Sequence, residues 1–169
     1  MKEIDFQNDL LPLKNKLYRL AQRITLDSLE AEDVVEDTLV RVWERRRTLS
    51  EVENLEVYCT TICRNLALDR AERKDAQHTA LDDSLNATAD AAALPDAQLE
   101  ADERLKWVRR SFEKLPEKQR TALQLRDIDG HTYQEVATAM NISESDVKVT
   151  LHRARQTLKD MLSHLKSHL

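Results

Sequence analysis

The residues best suited to chemistry in this sequence are basic and lie near its C-terminal end. Lys148, His152, Arg153 and Arg155 follow one another at helical spacing in the stretch DVKVTLHRARQTLKDML. Because Lys and Arg donate hydrogen bonds to phosphate oxygens and to base edges in the major groove, this pattern predicts a surface for duplex DNA. The alternative is a helix face whose charges are merely solvated.

Catalytic chemistry finds little support in the sequence. Cys59 and Cys63 lie four residues apart in an apolar helical pattern, which is typical of core residues. His164 and His168 have the same spacing, and we interpret them as part of a solvated helical tail, not a metal site. The sequence has no glycine-rich phosphate loop and no nucleophile elbow. We therefore expect no enzymatic activity, no cofactor and no bound metal.

The residues around the basic stretch predict a helix-turn-helix. A T-x-x-E capping box at 132–135 starts one helix, and an S-x-x-D signal at 143–146 starts the next after a short turn. Pro116 suits the first position of a preceding helix, and Gly130 suits its left-handed stop. The last helix should bury one side, which carries Val147, Leu151, Ala154, Leu158 and Met161.

The composition predicts an all-α fold. The 169 residues include one Gly and three Pro, so few positions suit tight turns, while good helix formers are plentiful. The net charge of -5 is uneven: residues 1–75 hold 13 Lys and Arg against 16 Asp and Glu, residues 76–103 hold none against 7, and residues 104–169 hold 13 against 8. The basic excess therefore belongs to the helix-turn-helix part.

This distribution predicts two small helical domains, 1–75 and 104–169, joined by a flexible acidic linker at 76–103. The first residues lack the basic start and apolar run of a signal peptide. No stretch approaches the roughly 20 apolar residues of a membrane span. We expect a cytoplasmic protein that does not insert into membranes.

A second candidate surface lies on the helix AEDVVEDTLVRVWE, residues 31–44. Its predicted core arc holds Ala31, Val34, Val35, Thr38 and Val42. The opposite side combines the acids Asp33, Glu36, Asp37 and Glu44 with the apolar residues Val40 and Trp43. Apolar anchors ringed by acids are typical of a protein interface with a basic partner. Alternatively, Trp43 packs against the first helix, predicted at Leu10–Ile24.

The helix that follows, LEVYCTTICRNLALDRAERK, ends in the cations Arg70, Arg73 and Lys74. These side chains suit a nucleic-acid backbone. An equally good interpretation is the favourable placement of cations at the C-terminus of a helix.

Together, these segments resemble the extracytoplasmic-function (ECF) class of RNA polymerase sigma factors. AEDVVEDTLVRVW is similar to the polymerase-docking helix of that family, RNLALDRAER to its promoter-melting helix, and the stretch from Leu115 to Arg155 to its C-terminal promoter-binding module. The resemblance covers nearly the whole chain except the linker. It implies a subunit that binds core RNA polymerase and directs transcription initiation at a specific gene set.

The resemblance also implies roles for individual residues. Asp33, Glu36, Asp37, Val40 and Trp43 would dock on the helical clamp of the largest polymerase subunit. Residues from Arg47 to Leu55, with Asn65, would hold a base flipped from the non-template strand of the minus-ten element. The last helix would enter the major groove of the minus-thirty-five element with Ser143, Glu144, Lys148, Val149, His152, Arg153 and Arg155.

The sequence departs from the family pattern at a few positions. Glu36 replaces a usual Gln, Tyr58 a usual Trp, and Asn141 a usual Gly. Thr150 stands where an Arg often contacts DNA, which we expect to change the base preference of the C-terminal module.

These patterns are also compatible with one further partner and with one alternative function. An anti-sigma factor could cover the apolar patch at Val40 and Trp43 in the idle protein. The alternative function is an autonomous dimeric helix-turn-helix regulator with Trp43 buried at its dimer interface.

Overall fold

The structure is a computed structural model that describes residues 3–80 and 99–167. Every regular element in these two ranges is helical, which confirms the predicted all-α class. The N-terminal domain comprises a π-helical turn Phe6–Leu10, a 3-10 turn Leu11–Leu13, α1 Lys14–Thr25, α2 Ser28–Glu44 and α3 Leu55–Ala80. The C-terminal domain comprises α4 Leu99–Glu113, α5 Glu117–Leu123 with a π-helical extension Gln124–Ile128, α6 Tyr133–Met140 and α7 Glu144–Ser167.

The first α-helix begins later than predicted. We expected one helix over Leu10–Ile24, but Pro12 lies in the 3-10 turn and the regular helix begins only at Lys14. Proline lacks the backbone N–H that an α-helix needs in its interior, so a tighter turn precedes it. At the other end, Leu26 takes a left-handed conformation (φ 55°) and donates its N–H to the Gln22 carbonyl.

The core of the N-terminal domain follows the helical periodicity of the sequence. Asp27 caps α2 by accepting hydrogen bonds from the N–H groups of Leu29 and Glu30. All five residues of the predicted core arc of α2 are buried. Cys59 and Cys63 of α3 are also buried and unpaired by any disulfide, and burial raises the pKa of each thiol to about 12. The prediction that they are core residues is confirmed.

The predicted helix-turn-helix is present in the C-terminal domain. Thr132 and Glu135 form the capping box of α6, and the Ser143 hydroxyl accepts a hydrogen bond from the Asp146 N–H at the start of α7. Asn141 ends α6 in a left-handed conformation (φ 54°), which Asn tolerates better than most residues and which explains how it replaces Gly there. Val147, Leu151 and Ala154 are fully buried, and Leu158 and Met161 are partly buried.

The predicted linker is helical at both of its described ends. Helix α3 continues to Ala80 and α4 begins at Leu99, whereas residues 81–98 lie outside the described part of the chain. A flexible connection there stays a prediction. The two domains touch directly, with α1 against α5 and α3 against α6. Among the described helices, none is long and apolar enough to cross a membrane.

Candidate functional site

The exposed stripe of α2 carries the apolar residues expected of a protein interface. Val40 is 52% exposed although it is a large apolar side chain, and Glu36 beside it is exposed. Leu29 is 78% exposed and lies eleven residues before Val40, which is about three helical turns. The two side chains therefore share one stripe. The sequence analysis did not include Leu29, although its spacing of eleven residues from Val40 places both side chains on the same face of a helix.

Trp43 is partly buried against its own domain and partly exposed to solvent. Its ring meets Phe6 edge-on with centroids 5.6 Å apart, and the Arg46 guanidinium lies 4.1 Å from the ring centroid. The alternative placed Trp43 against the first helix, Leu10–Ile24. Trp43 does pack against the core of its own domain, but its ring contact is with Phe6 in the turn that precedes that helix. The partly buried indole supports the end of the exposed stripe next to Val40.

Arg70 does not extend into solvent but lies on the acidic side of α2. Its guanidinium pairs with Glu30, Asp33 and Asp37 at 2.8, 2.7 and 3.1 Å. Hydrogen bonds to Glu30 and Asp33 raise the pKa of Arg70. Two acids of the predicted docking set are thus already held by a cation of the same domain.

Lys74 repeats this arrangement one turn further along α3. Its ammonium lies 2.6 Å from a carboxylate oxygen of Asp27, and the hydrogen bond from Lys74 is the main reason that the pKa of Asp27 is lowered. Arg73, between the two, is exposed. Of the three cations that sequence analysis assigned to nucleic acid here, the structure places Arg70 and Lys74 against α2 and Arg73 towards solvent.

Arg47 and Asn65, the other two predicted DNA contacts of this domain, line different cavities. Arg47 borders a pocket of about 480 Å³ together with Ile4 and Ser50. Asn65 borders a groove of about 500 Å³ between α2 and α3, with Arg41 and Arg45 on its wall. Both side chains are exposed, but the structure does not bring them into one pocket.

The outer face of α7 is basic and open. Lys148, Val149, His152 and Arg153 are exposed along it, with Ser143 and Glu144 exposed where the helix begins. Arg155 differs, because its guanidinium donates to both carboxylate oxygens of Asp127 at 3.0 and 2.6 Å. That hydrogen bond also raises the pKa of Arg155. Only part of the predicted DNA set therefore points freely outward.

Position 150 faces the interior of the C-terminal domain. Thr150 is 5% exposed and its hydroxyl lies 3.2 Å from Asp146, whose carboxylate also pairs with Lys118 at 2.9 Å. The hydrogen bond from Lys118 lowers the pKa of Asp146. Thr150 therefore lies away from the exposed face of α7, and the expectation that its replacement of an Arg changes the base preference of the C-terminal module stays a prediction.

The described ranges contain no group of three or more His, Cys, Asp or Glu side chains that could hold a metal ion. His168, one of the two histidines considered in the tail, lies outside them.

Fold and surfaces together describe a two-domain helical protein with an exposed apolar stripe on α2 and a helix-turn-helix in its second domain. The family models agree with both halves: residues 12–77 match sigma-70 region 2, and residues 105–158 match sigma-70 region 4. The chain is 30% identical to the ECF RNA polymerase sigma factor SigM of Bacillus subtilis, over 86% of this chain and 87% of SigM.

Two other relatives agree. The ECF RNA polymerase sigma factor SigW of the same organism is 27% identical over 90% of this chain and 86% of SigW. The sigma factor RpoE of Bartonella quintana, solved in complex with the anti-sigma factor NepR, superposes with a TM-score of 0.70 at 25% identity, covering 94% of this chain and 97% of RpoE. The chain belongs to the ECF RNA polymerase sigma factors, and it directs transcription initiation at specific promoters.

Proposed function

We propose that this sigma factor docks on core RNA polymerase through the exposed stripe of α2 and reads promoter DNA through the outer face of α7. The observation that supports docking most directly is Val40, an apolar side chain half exposed among acids on a helix whose other side is fully buried. Desolvating Val40 and the free edge of Trp43 would supply affinity, while Glu36, Asp33 and Asp37 would steer a basic partner surface.

The proposed docking set is Asp33, Glu36, Asp37, Val40 and Trp43, and we include Leu29 because it is a large apolar side chain that is 78% exposed on the same stripe. Asp33 and Asp37 keep about half of their side-chain surface exposed even though Arg70 holds them. They can therefore still face a partner, with their rotamers already fixed. Pre-ordered side chains lose less conformational entropy on binding than free ones.

For promoter DNA, the basic face of α7 is the proposed reader of the minus-thirty-five element. Lys148 and Arg153 suit phosphates or base edges, and Val149 suits a thymine methyl group. Arg47, Asn65 and Arg73 would contact the minus-ten region. For Arg70 and Lys74, pairing with the acids of α2 supports a stabilising role in the domain. The alternative that placed them at a helix C-terminus is not favoured, because α3 continues to Ala80.

The alternative of an autonomous dimeric regulator is not favoured. It placed Trp43 at a dimer interface, whereas Trp43 packs on Phe6 and Arg46 of its own chain. Sedimentation of the purified chain should show a monomer, since the regulator hypothesis requires two copies on two half-sites.

We further infer that the chain carries out no catalysis and acts in the cytoplasm, where bacterial core polymerase and promoters are. An anti-sigma factor is a proposed partner because the matched RpoE was solved with NepR and because the stripe at Leu29 and Val40 leaves large apolar groups uncovered.

The docking proposal is tested by co-elution of the full chain with bacterial core polymerase at moderate salt. Val40→Ala should weaken association by about tenfold, as expected for one truncated interface anchor. Ile128→Ala is the matched control, because Ile128 is also a β-branched residue with 52% exposure but lies on the other domain. Equal retention of both variants on the polymerase would remove α2 as the docking element.

A further inference from the structure

The two domains are joined by a buried arginine that crosses between them. Arg120 of α5 is 8% exposed, and its guanidinium donates to the carbonyls of Arg23 (2.7 Å) and Ile24 (3.3 Å) in the last turn of α1. It also donates to the Leu115 carbonyl of its own domain at 2.6 Å. Because the last carbonyls of a helix carry partial negative charge and lack helical partners, a cation placed there is stabilising.

A second arginine crosses in the opposite direction. The Nε of Arg23 donates to the side-chain oxygen of the fully buried Gln124 at 3.0 Å, and its guanidinium lies 4.6 Å from the centroid of the Phe112 ring. Burial lowers the pKa of both Arg23 and Arg120, as expected for cations withdrawn from water. We call this reciprocal pair, Arg23 and Arg120 with their acceptors, the arginine clasp.

A separate contact lies at the start of α3. The side-chain amide of Asn54 donates to a Glu135 oxygen of α6 at 2.7 Å. His131, which is buried, lies 3.8 Å from Glu56 and 3.5 Å from Glu135. Asn54 belongs to the 47–55 segment assigned to the flipped base, so α6 of the DNA-binding domain lies against the edge of that segment.

The environment of this contact is unfavourable for a nucleic-acid strand. A cleft of about 530 Å³ separates the start of α3 from α6, and its wall includes Glu53 and Glu135. Glu56 lies beside it through His131. Carboxylates repel phosphates, so a DNA strand would approach the 47–55 segment more readily once α6 and Glu135 have moved away.

The spacing of the promoter elements also indicates that the two domains must separate when the protein binds a promoter. Elements centred near minus ten and minus thirty-five are about 25 base pairs apart, which is roughly 85 Å of duplex at 3.4 Å per base pair. In this structure, the helix-turn-helix touches the domain that would read the minus-ten element through the hydrogen bond from Asn54 to Glu135. One molecule in this arrangement would not span both elements.

We propose that the arginine clasp holds the free sigma factor in a closed resting form, in which its own DNA-binding domain covers the edge of the base-capturing segment. The stripe at Val40 and the α7 face stay exposed in this form, so core polymerase can be engaged before the clasp opens. The proposal rests on the proposed function for its consequence, but the closed form itself is a property of the free chain.

The test is energy transfer between dyes on the two domains of the full chain. Asn15→Cys and Lys159→Cys place one exposed thiol on α1 and one on α7. The native Cys59 and Cys63 are buried with pKa values raised to about 12, so they stay unlabelled. The free chain should show high transfer, and Arg23→Ala should shift the ratio of closed to open molecules about tenfold towards open, as expected when one charge-assisted hydrogen bond is lost.

Two comparisons make this result specific. Arg41→Ala removes an exposed arginine of the same domain that takes no part in the clasp, and it should leave the transfer unchanged. Arg23→Lys keeps the charge but not the planar group over Phe112, and it should give an intermediate value. Helical circular dichroism of each variant checks that the domains are folded. Identical transfer in the parent chain and in folded Arg23→Ala would overturn the clasp.

Addition of core polymerase separates the clasp from the docking proposal. Transfer should fall when the labelled chain co-elutes with polymerase and promoter DNA. Co-elution with unchanged high transfer would refute the proposal that the closed form is a resting form that opens on polymerase and promoter, while leaving docking intact. Failure to co-elute would refute docking, and the measurements on the free chain would still decide the clasp.

Discussion

The basic segment of α3 from Arg70 to Lys74 and the basic face of α7 look alike in the sequence but differ in the structure. Each contributes three cations that sequence analysis assigned to nucleic acid: Arg70, Arg73 and Lys74 on α3, and Lys148, Arg153 and Arg155 on α7. On α3, two of the three pair with carboxylates of α2. On α7, only Arg155 pairs with a carboxylate, that of Asp127.

The difference follows from what each helix packs against. Helix α3 lies beside α2, whose Asp27, Glu30, Asp33 and Asp37 recur every three or four residues and so form a stripe. Arg70 and Lys74 have the same spacing and meet that stripe. Helix α7 packs on α5 and α6 through apolar residues and leaves its cations outside. A run of cations in the sequence is therefore a weaker indication of DNA binding where the adjacent helix offers matching acids.

The largest expected effect tests the open face of α7. Arg153→Ala should weaken promoter binding by the polymerase complex by about 1–3 kcal/mol if Arg153 contacts a base, or reduce the salt slope by about 1 if it contacts a phosphate. Fluorescence anisotropy at several salt concentrations, on duplexes that the parent complex selects, measures both. Unchanged affinity and salt slope would show that the exposed cations of α7 contribute no more to DNA binding than the paired cations of α3.

The second effect tests the paired cations of α3. Arg70→Ala should lower the free energy of unfolding by about 1–2 kcal/mol, because three carboxylates of α2 lose their common partner. Arg73→Ala is the matched control and should change it by less than about 0.5 kcal/mol. Urea unfolding followed by circular dichroism gives both values. Equal stability of the two variants would contradict the distinction between paired and exposed cations.

The sequence predicted local features well, because they depend on short-range periodicity and capping chemistry. The core arc of α2, the capping box at Thr132 and the turn before α7 all follow from residues within a few positions of each other. The sequence did not predict that Arg70 pairs with acids of α2 or that Arg120 donates hydrogen bonds to the last carbonyls of α1. Both depend on how helices far apart in sequence align, which no local pattern encodes.

The sequence predicted only some residues of the candidate surfaces. Val40 was recognised because a large apolar side chain among acids is anomalous on a solvated face. Leu29 was missed since it precedes the segment taken as the helix, and the true start at Ser28 depends on the Asp27 cap. Thr150 stands where the family pattern has a DNA-contacting Arg, but its side chain is buried in this structure.

A smaller effect is expected from releasing the one paired cation of α7. Asp127→Asn removes a negative charge and frees Arg155 from its exposed ion pair, which contributes about 0.5 kcal/mol or less. Promoter affinity should therefore rise by about twofold. The same anisotropy assay detects this change, and Glu103→Gln, which neutralises an exposed acid on α4, serves as the control. A loss of affinity would mean that the pair with Asp127 positions Arg155 for DNA.

The smallest effect concerns the pH dependence of the pair between Lys74 and Asp27. The hydrogen bond from Lys74 lowers the pKa of Asp27 in the folded chain, so the stabilisation is fully present above the unfolded pKa of about 3.9 and is lost as the pH falls through the lower, folded value. Lys74→Met should therefore cost about half a kcal/mol or less at pH 7. The difference between the parent and variant free energies of unfolding should shrink below about pH 4. Arg73→Met should show no such dependence, because its side chain is exposed and Asp27 keeps its partner.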